Sequence, residues 1–386
     1  MSSLAEIRAF LDDDHTEFAG RIDAYARTAL RDLPEPRDDD EARVQAREVL
    51  DWMGQAGWFA PIADGDLRQL CLLREHAAAA SPLADAVVAL QGLGITPLLL
   101  SDNRAMREAW LPPALQGAAM GAFALTEVEA GSDVSGIATT ATRDGEAYIL
   151  NGSKTFISNA GVADFYVVFA STDVEAGTRG LTAFVVAAAT TGFEFVAPQI
   201  MSSPHPLGDI AFNNCAIPAA CRLGKEGEGF KICMKTLDRL RVSVGAAACG
   251  MAGRALEEAL RHVRTRQQFG RPLAEFQLVQ DKLARMYVEL TAARLLVYRA
   301  AWERDQGTER LTLEAATAKV GATEAAQRII DDAIQLLGGQ GVLASNVVDR
   351  MYRSIRALRI YEGTSEIQHL IIARQLLAAA TEEDTG

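Results

Sequence analysis

At ~150 residues per domain, 386 residues supply two to three domains' worth of chain with ample volume for a buried core, which excludes a small disulfide-stapled scaffold. Hydrophobic residues at 49% and charged residues at 23% are ordinary globular usage and exclude wholesale disorder or a collagen-like chain. The 38 basic and 51 acidic residues leave a net charge of −13, which argues against a surface built to grip phosphate backbones.

In chain order, the first eighteen residues mix acidic and apolar types without a basic leader region, and no stretch reaches the ~18 continuous apolar residues of a membrane span. The expectation is a cytoplasmic protein that meets no membrane. Residues 1–117 are rich in Ala, Leu, Glu and Arg at helical spacing, punctuated by Pro34, Pro36, Pro61 and Pro97, and read as an N-terminal α-helical domain. Residues 118–222 change character and read as a middle β domain. There Tyr148-Ile149-Leu150 runs into Asn151-Gly152, a type I′ hairpin signal, and β-rich stretches follow at 165–169 and 181–186. Residues 223–386 return to a helical pattern, broken near Gly270-Arg271-Pro272, Gly307 and Gly338-Gly339-Gln340-Gly341, which implies long helices in a C-terminal bundle. The fold class is α+β: helices, then sheet, then helices.

The five cysteines, Cys71, Cys215, Cys221, Cys233 and Cys249, contain no C-x-x-C pair and read as reduced, buried thiols. The five histidines are scattered without ligand spacing, so no metal site is expected. Two stretches carry chemistry. In Phe123-Ala124-Leu125-Thr126-Glu127-Val128-Glu129-Ala130-Gly131-Ser132-Asp133, glycine and small hydroxyl residues cluster where backbone N–H groups and hydroxyls can approach a ligand's heteroatoms, although alone the stretch reads as a polar turn. In Tyr361-Glu362-Gly363-Thr364-Ser365-Glu366-Ile367, Thr364 or Ser365 reads as a helix cap with Glu366 in the first turn, and Glu362 lies just ahead of the helix start. A carboxylate held beside an apolar pocket would have a raised pKa and could act as a base.

These motifs, in this order and at this separation, resemble those of the acyl-CoA dehydrogenase family of flavoproteins, and the resemblance covers essentially the whole chain. It implies FAD as cofactor, an acyl-CoA thioester as substrate, and desaturation between Cα and Cβ. Glu362 would take the α proton while the β hydride passes to flavin N5. A ribityl hydroxyl of FAD and the Glu362 backbone N–H would polarise the thioester carbonyl.

The resemblance also assigns residues. Phe123, Leu125, Thr126, Gly131 and Ser132 match the loop against the flavin, with Ser132 also near the thioester. Phe156-Ile157-Ser158 matches a second flavin-facing segment that more often begins with Trp, so Phe156 keeps an aromatic face without the indole donor. Arg266, Gln268 and Phe269, with Gln277 behind them, match a segment reaching the FAD diphosphate of a neighbouring subunit, where forked guanidinium donors suit phosphate oxygens. Gln335, Gly338 and Gly339 match a second contact from the partner subunit, and Thr364 and Glu366 complete the cofactor set. Without the resemblance, Arg266 reads as part of a solvated basic face and Gly338-Gly339 as a helix stop. A cofactor shared across an interface implies a homodimer or homotetramer.

Asp238 and Arg241 match the helix that meets the CoA portion, and read alone as an i,i+3 surface ion pair. Some branches of the family carry the base on that helix, but the matching residue here is Leu240, which cannot take a proton, and Glu362 is left in that role. Tyr361 and Gly363 would line the substrate. An electron-transfer flavoprotein is the implied electron acceptor.

Three other readings share the fold: a dehydrogenase of a carrier-tethered acyl or aminoacyl group, a DNA-binding flavoprotein, and a nitroalkane oxidase. Asp238 with Arg241 favours CoA, the net charge counts against DNA, and Glu in place of Asp counts against the third. The stretch 202–208 reads as a loop, with His205 on its surface and no role assigned.

Overall fold

The computed structural model describes residues 4–308 and 310–383. Seven helices come first: α1 (Leu4–Ile7), α2 (Asp13–Tyr25), α3 (Asp39–Gln55), α4 (Ala60–Asp64), α5 (Leu67–Ala80), α6 (Pro82–Leu100) and α7 (Arg104–Leu115). Eight strands follow: β1 (Gly121–Ala124), β2 (Thr140–Asp144), β3 (Ala147–Ser158), β4 (Phe165–Ser171), β5 (Leu181–Ala187), β6 (Phe193–Pro198), β7 (Leu207–Pro218) and β8 (Arg222–Leu223). The long α8 (Gly229–Thr265) leads into a small hairpin of β9 (Gln267–Gln268) and β10 (Arg271–Pro272). Helices α9 (Gln277–Asp305), α10 (Thr312–Leu337), α11 (Val347–Leu358) and α12 (Ser365–Glu383) complete the chain. Helix, sheet, helix is the order expected from the sequence.

By internal contacts the chain forms two compact units. The helical unit gathers residues 1–34, 66–85 and 241–386, and the sheet unit gathers 35–65 and 86–240. The N-terminal helices are therefore shared between the two.

In the sheet unit the strand order is β6-β7-β3-β2-β4-β5-β8, with β1 parallel to β4 through Gly121↔Phe165. The expected hairpin is displaced. The tight turn between β2 and β3 lies at Gly145 and Glu146, where Gly145 takes φ 58°, whereas Asn151-Gly152 sits inside the continuous strand β3. The register against β7 slips there, and Asn151 Oδ1 accepts the Asn214 N–H at 2.8 Å. The N-G pair thus marks a bulge, since Gly152 at φ 143° lies so close to Thr139 that a Cβ would come within 2.6 Å of its hydroxyl.

Helix α6 is apolar and long enough to pass as a membrane span, with mean hydropathy 1.7, yet 78% of that window is buried inside the protein, as for a core helix. Its Gln91 donates to the Ala114 and Ala119 carbonyls and accepts the Gly121 N–H at 3.1 Å, which fixes where β1 begins. Asp164 accepts the Met120 N–H at 2.7 Å and pairs with Arg47 on α3 through both guanidinium nitrogens, so the loop following β1 starts from a braced strand.

In the helical unit, α8 carries Gly245, Gly250 and Gly253 along an alanine-rich face. At Gly250 an added Cβ would fall 2.0 Å from the Glu75 carbonyl oxygen, so the α5 and α8 backbones touch. Glu75 accepts from Arg294 Nε and Tyr298 Oη, each at 2.8 Å, and Arg294 Nη1 reaches Glu6 at 2.9 Å. This buried cluster joins α1, α5 and α9. Cys71, Cys215, Cys233 and Cys249 are buried free thiols, and Cys221 is half-buried and free.

Candidate active site

In the helical unit, Glu362 and Gly363 link α11 to α12 in the left-handed region, at φ 53° and 96°. A non-glycine residue avoids this conformation unless its surroundings over-determine it. The surroundings do so. Arg241 Nε donates to the Glu362 carbonyl at 2.8 Å, Lys319 Nζ to the Gly363 carbonyl at 2.8 Å, and Gln368 Nε2 to both, at 3.3 and 3.0 Å. Thr364 Oγ1 accepts the Ile367 N–H at 3.3 Å and caps α12, as its place in the sequence suggests.

The Glu362 side chain ends in an orphan. Its Oε2 is buried without a hydrogen-bond partner among the described residues, and none of them accepts its backbone N–H. Burial raises the carboxyl above its ordinary range, against the opposing fields of Arg74, Arg241 and Lys319. Arg74, 1% exposed, is bound to Asp85 through Nε at 2.8 Å and Nη2 at 3.0 Å, and to Ser243 Oγ at 3.0 Å. Although burial works against its charge, Asp85 keeps it protonated. Burial also raises the neighbouring Tyr361 hydroxyl, while the Arg74 guanidinium lies within hydrogen-bonding reach of it. Lys319 is fully buried, and desolvation brings its ammonium down to about 8.

In the sheet unit, the two flavin-facing segments expected from the sequence come together. The β3·β7 ladder slips again between Lys154 and Ile157, and the Thr155 N–H turns instead to the Thr126 carbonyl at 2.9 Å. Phe156, at φ 54°, is turned outward by this bulge and is 61% exposed. The loop itself is tied from below. Glu127 Oε2 accepts the Ala138 N–H at 2.7 Å, and its Oε1 accepts the Thr139 N–H at 3.1 Å and Lys154 Nζ at 2.7 Å; Lys154 also reaches the Leu125 carbonyl at 3.0 Å. Burial lowers Lys154 to about 8, and Lys154 with the two N–H groups holds Glu127 below its ordinary range against burial.

The Thr126 and Ser132 hydroxyls make no hydrogen bond among the described residues. An outward aromatic face on a braced bulge that is tied through the Thr155 N–H to Thr126, whose own hydroxyl is unspent, fits a planar heteroaromatic ring with polar edges such as a flavin. Ser158 Oγ lies 3.3 Å from His205 Nε2. His205, expected on the loop surface, is instead half-buried, and desolvation lowers it to about 4.

The other expected cofactor residues are spread over the helical unit. Arg266, Gln268 and Phe269 form the exposed β9–β10 hairpin, with Phe269 92% exposed at its tip and Gln277 at the start of α9. Gln335, Gly338 and Gly339 lie exposed at the end of α10. Arg241, read from its spacing to Asp238 as a surface residue, is buried on the Glu362 carbonyl. Sequence reasoning missed Arg74, Asp85, Lys319, Gln368, Glu127 and Lys154. For Lys319 a signal was there, a lysine on the apolar stripe of α10 four residues after Ala315 and four before Thr323.

Comparison with known proteins gives these features a common setting. The acyl-CoA dehydrogenase middle domain matches residues 122–215 and the acyl-CoA dehydrogenase C-terminal domain matches 227–377. The 3-(aryl)acrylate reductase of Clostridium sporogenes is 40% identical over 94% of this chain and 99% of its own. A caffeyl-CoA reductase–Etf complex subunit of Acetobacterium woodii is 38% identical over 88% and 92%. The solved butyryl-CoA dehydrogenase of Megasphaera elsdenii superposes with a TM-score of 0.89 at 34% identity, covering 95% of this chain and 99% of that one. The chain belongs to the acyl-CoA dehydrogenase family, FAD-dependent oxidoreductases that act on CH–CH bonds.

Proposed function

We propose that the protein interconverts an acyl-CoA thioester and its α,β-unsaturated form, with Glu362 as the base that removes the α proton. FAD, when bound, accepts the hydride from Cβ; the residues that would hold it are Phe123, Leu125, Thr126, Gly131, Ser132, Phe156, Ile157, Ser158, Thr364 and Glu366, with Arg266, Gln268, Phe269, Gln277, Gln335, Gly338 and Gly339 reaching the FAD of a neighbouring subunit. The observation that carries the reading is the orphaned, buried Glu362 Oε2 on a strained turn held by three donors. A carboxylate with an unspent lone pair is free to take a proton, and burial brings its basicity closer to that of a carbon acid.

The Glu362 N–H, also unspent, donates to the thioester oxygen and stabilises negative charge developing there. Tyr361 and Gly363 line the acyl group, and Asp238 lies toward the CoA handle. The physiological acceptor or donor of electrons is an electron-transfer flavoprotein, a partner supported by the relative that is itself a subunit of an Etf complex. The assembly is a homodimer or homotetramer.

One observation favours a second direction of the same chemistry. The relative matched over 99% of its length is a reductase of arylacrylates, and a carboxyl whose proton affinity is raised by burial can return a proton to Cα as readily as remove one. The residues are the same in both directions.

The test is anaerobic bleaching of the flavin by a panel of thioesters that includes butyryl-CoA and 3-phenylpropionyl-CoA, in the parent and in Glu362→Gln. Bleaching in the parent and its loss in the variant, with FAD retained, supports the reading. Equal bleaching in both would remove Glu362 from the mechanism, and no bleaching by any CoA ester would turn attention to carrier-tethered substrates.

A further inference from the structure

We propose that Lys319 is a positioning residue for the base: it grips the Gly363 carbonyl, holds the left-handed Glu362-Gly363 turn in place, and sets a positive charge in the field of the Glu362 carboxyl. The proposal rests on the reading of Glu362 as base.

The placement of Lys319 is costly for a helix. It lies fully buried on α10 among Ala315, Ala316, Ala322 and Thr323, where an apolar side chain would satisfy packing. Among the described residues its one hydrogen-bond acceptor is the Gly363 carbonyl, at 2.8 Å. A buried ammonium with one neutral acceptor loses hydration that this bond does not replace, so its presence is explained by what the charge does nearby.

Two consequences follow from the geometry. First, the Glu362 and Gly363 carbonyls are each held by a cation, Arg241 on one and Lys319 on the other, with Gln368 bridging both. Two held carbonyls fix the two peptide planes that follow the Glu362 Cα, including the left-handed Gly363 at φ 96°, and so anchor the turn on which the Glu362 side chain stands.

Second, the charged groups that act most on the Glu362 carboxyl come from four helices: Arg74 on α5, Asp85 on α6, Arg241 on α8, and Lys319 on α10. Tyr361 precedes it, while Glu324 on α10 and Glu366 on α12 act on Lys319 itself. Arg74 is neutralised by its forked bond to Asp85. Lys319 has no carboxylate within salt-bridge distance among the described residues, so its charge remains to favour the carboxylate form of Glu362. Burial lowers Lys319 to about 8, which leaves it charged at neutral pH.

The experiment uses the FAD-loaded enzyme and 3-thiabutyryl-CoA, a thioester whose ring-free sulfur at the β position blocks hydride loss, so that α-proton removal alone is read as long-wavelength absorbance. That absorbance is titrated against pH in the parent, Lys319→Met, Lys319→Gln and Glu362→Gln. Lys319→Met is expected to move the midpoint up by about one pH unit and to weaken ligand binding. Lys319→Gln can still donate to the Gly363 carbonyl, so affinity and thermal midpoint return toward the parent while the pH midpoint stays high. A parent-like pH midpoint in Lys319→Gln overturns the electrostatic role, whether or not Lys319→Met folds. Full parent-like behaviour in Lys319→Met overturns the whole proposal. The failure of the underlying reading is separate: the long-wavelength band would then persist in Glu362→Gln.

Discussion

Replacing Lys154 with methionine is the sharpest test of how the loop after β1 is held. Lys154 is 1% exposed, and its ammonium joins Glu127 at 2.7 Å and the Leu125 carbonyl at 3.0 Å. Methionine fills the space but leaves a buried carboxylate that keeps two backbone donors, from Ala138 and Thr139, and loses its counter-charge. Breaking a buried pair from one side costs about 3–5 kcal/mol, most of it the stranded charge. Lys154→Met with Glu127→Gln removes that charge and should recover part of the loss, giving a coupling of about 2 kcal/mol in a double-mutant cycle.

The sign of the pH dependence is fixed as well. Glu127 is held below its ordinary range in the fold, so in the parent its contribution is present above the ordinary carboxylate range and is lost as pH falls through the folded value. In Lys154→Met the two N–H donors remain but the counter-charge is gone, so the carboxyl protonates more readily than in the parent and the deficit narrows as pH falls from 7 toward 4. Urea unfolding of the holoenzyme at fixed protein and FAD concentration, followed by circular dichroism, measures both quantities. Additive single variants, or a deficit that does not change with pH, would refute the view that this ion pair acts as one unit.

Two further outcomes follow from the backbone. Gly250→Ala drives a Cβ to within 2.0 Å of the Glu75 carbonyl oxygen and should cost about 2–3 kcal/mol as α5 and α8 are pushed apart; Gly20→Ala on α2 meets nothing within 4 Å and should instead add ~0.5–1 kcal/mol, both read as shifts in thermal midpoint. Phe156→Gly relieves a left-handed aromatic residue, so the FAD-free protein should gain about 1 kcal/mol while FAD binds more weakly, and an unchanged FAD affinity by equilibrium titration would deny Phe156 its contact.

What the sequence made legible was periodic or local. The long helical runs after residue 227, the glycine breaks between them and the strands at 165–169 and 181–186 announce themselves by spacing, and α8 to α10, β4 and β5 lie where that spacing puts them. Asn151-Gly152 misled because a dipeptide that favours left-handed backbone serves a bulge as well as a turn, and only pairing with β7, some sixty residues later, decides which. Glu362 was legible as a carboxylate just ahead of a capped helix, and its role as base came from the family resemblance. Arg74 and Asp85 were not, since each looks like an ordinary surface residue until helices from remote parts of the chain bring them to one turn, and Lys319 gave only its place on the apolar stripe of α10. Arg241 shows the same limit: its spacing to Asp238 suggests solvent, whereas its burial follows from where α12 begins.

The way the chain divides between its two units governs how it can be made. Glu75 leaves the ribosome early, but its partners Arg294 and Tyr298 follow 219 and 223 residues later. At ~5–20 residues per second, that gap is roughly ten to forty seconds of synthesis during which α5 carries a carboxylate and an apolar face with no mate. The segment 86–240 has by then emerged whole and can close its sheet, whereas the helical unit must wait for the residues after 240. Truncated or stalled products of this protein should therefore be half-built in a defined way, with a formed sheet and early helices in need of a chaperone.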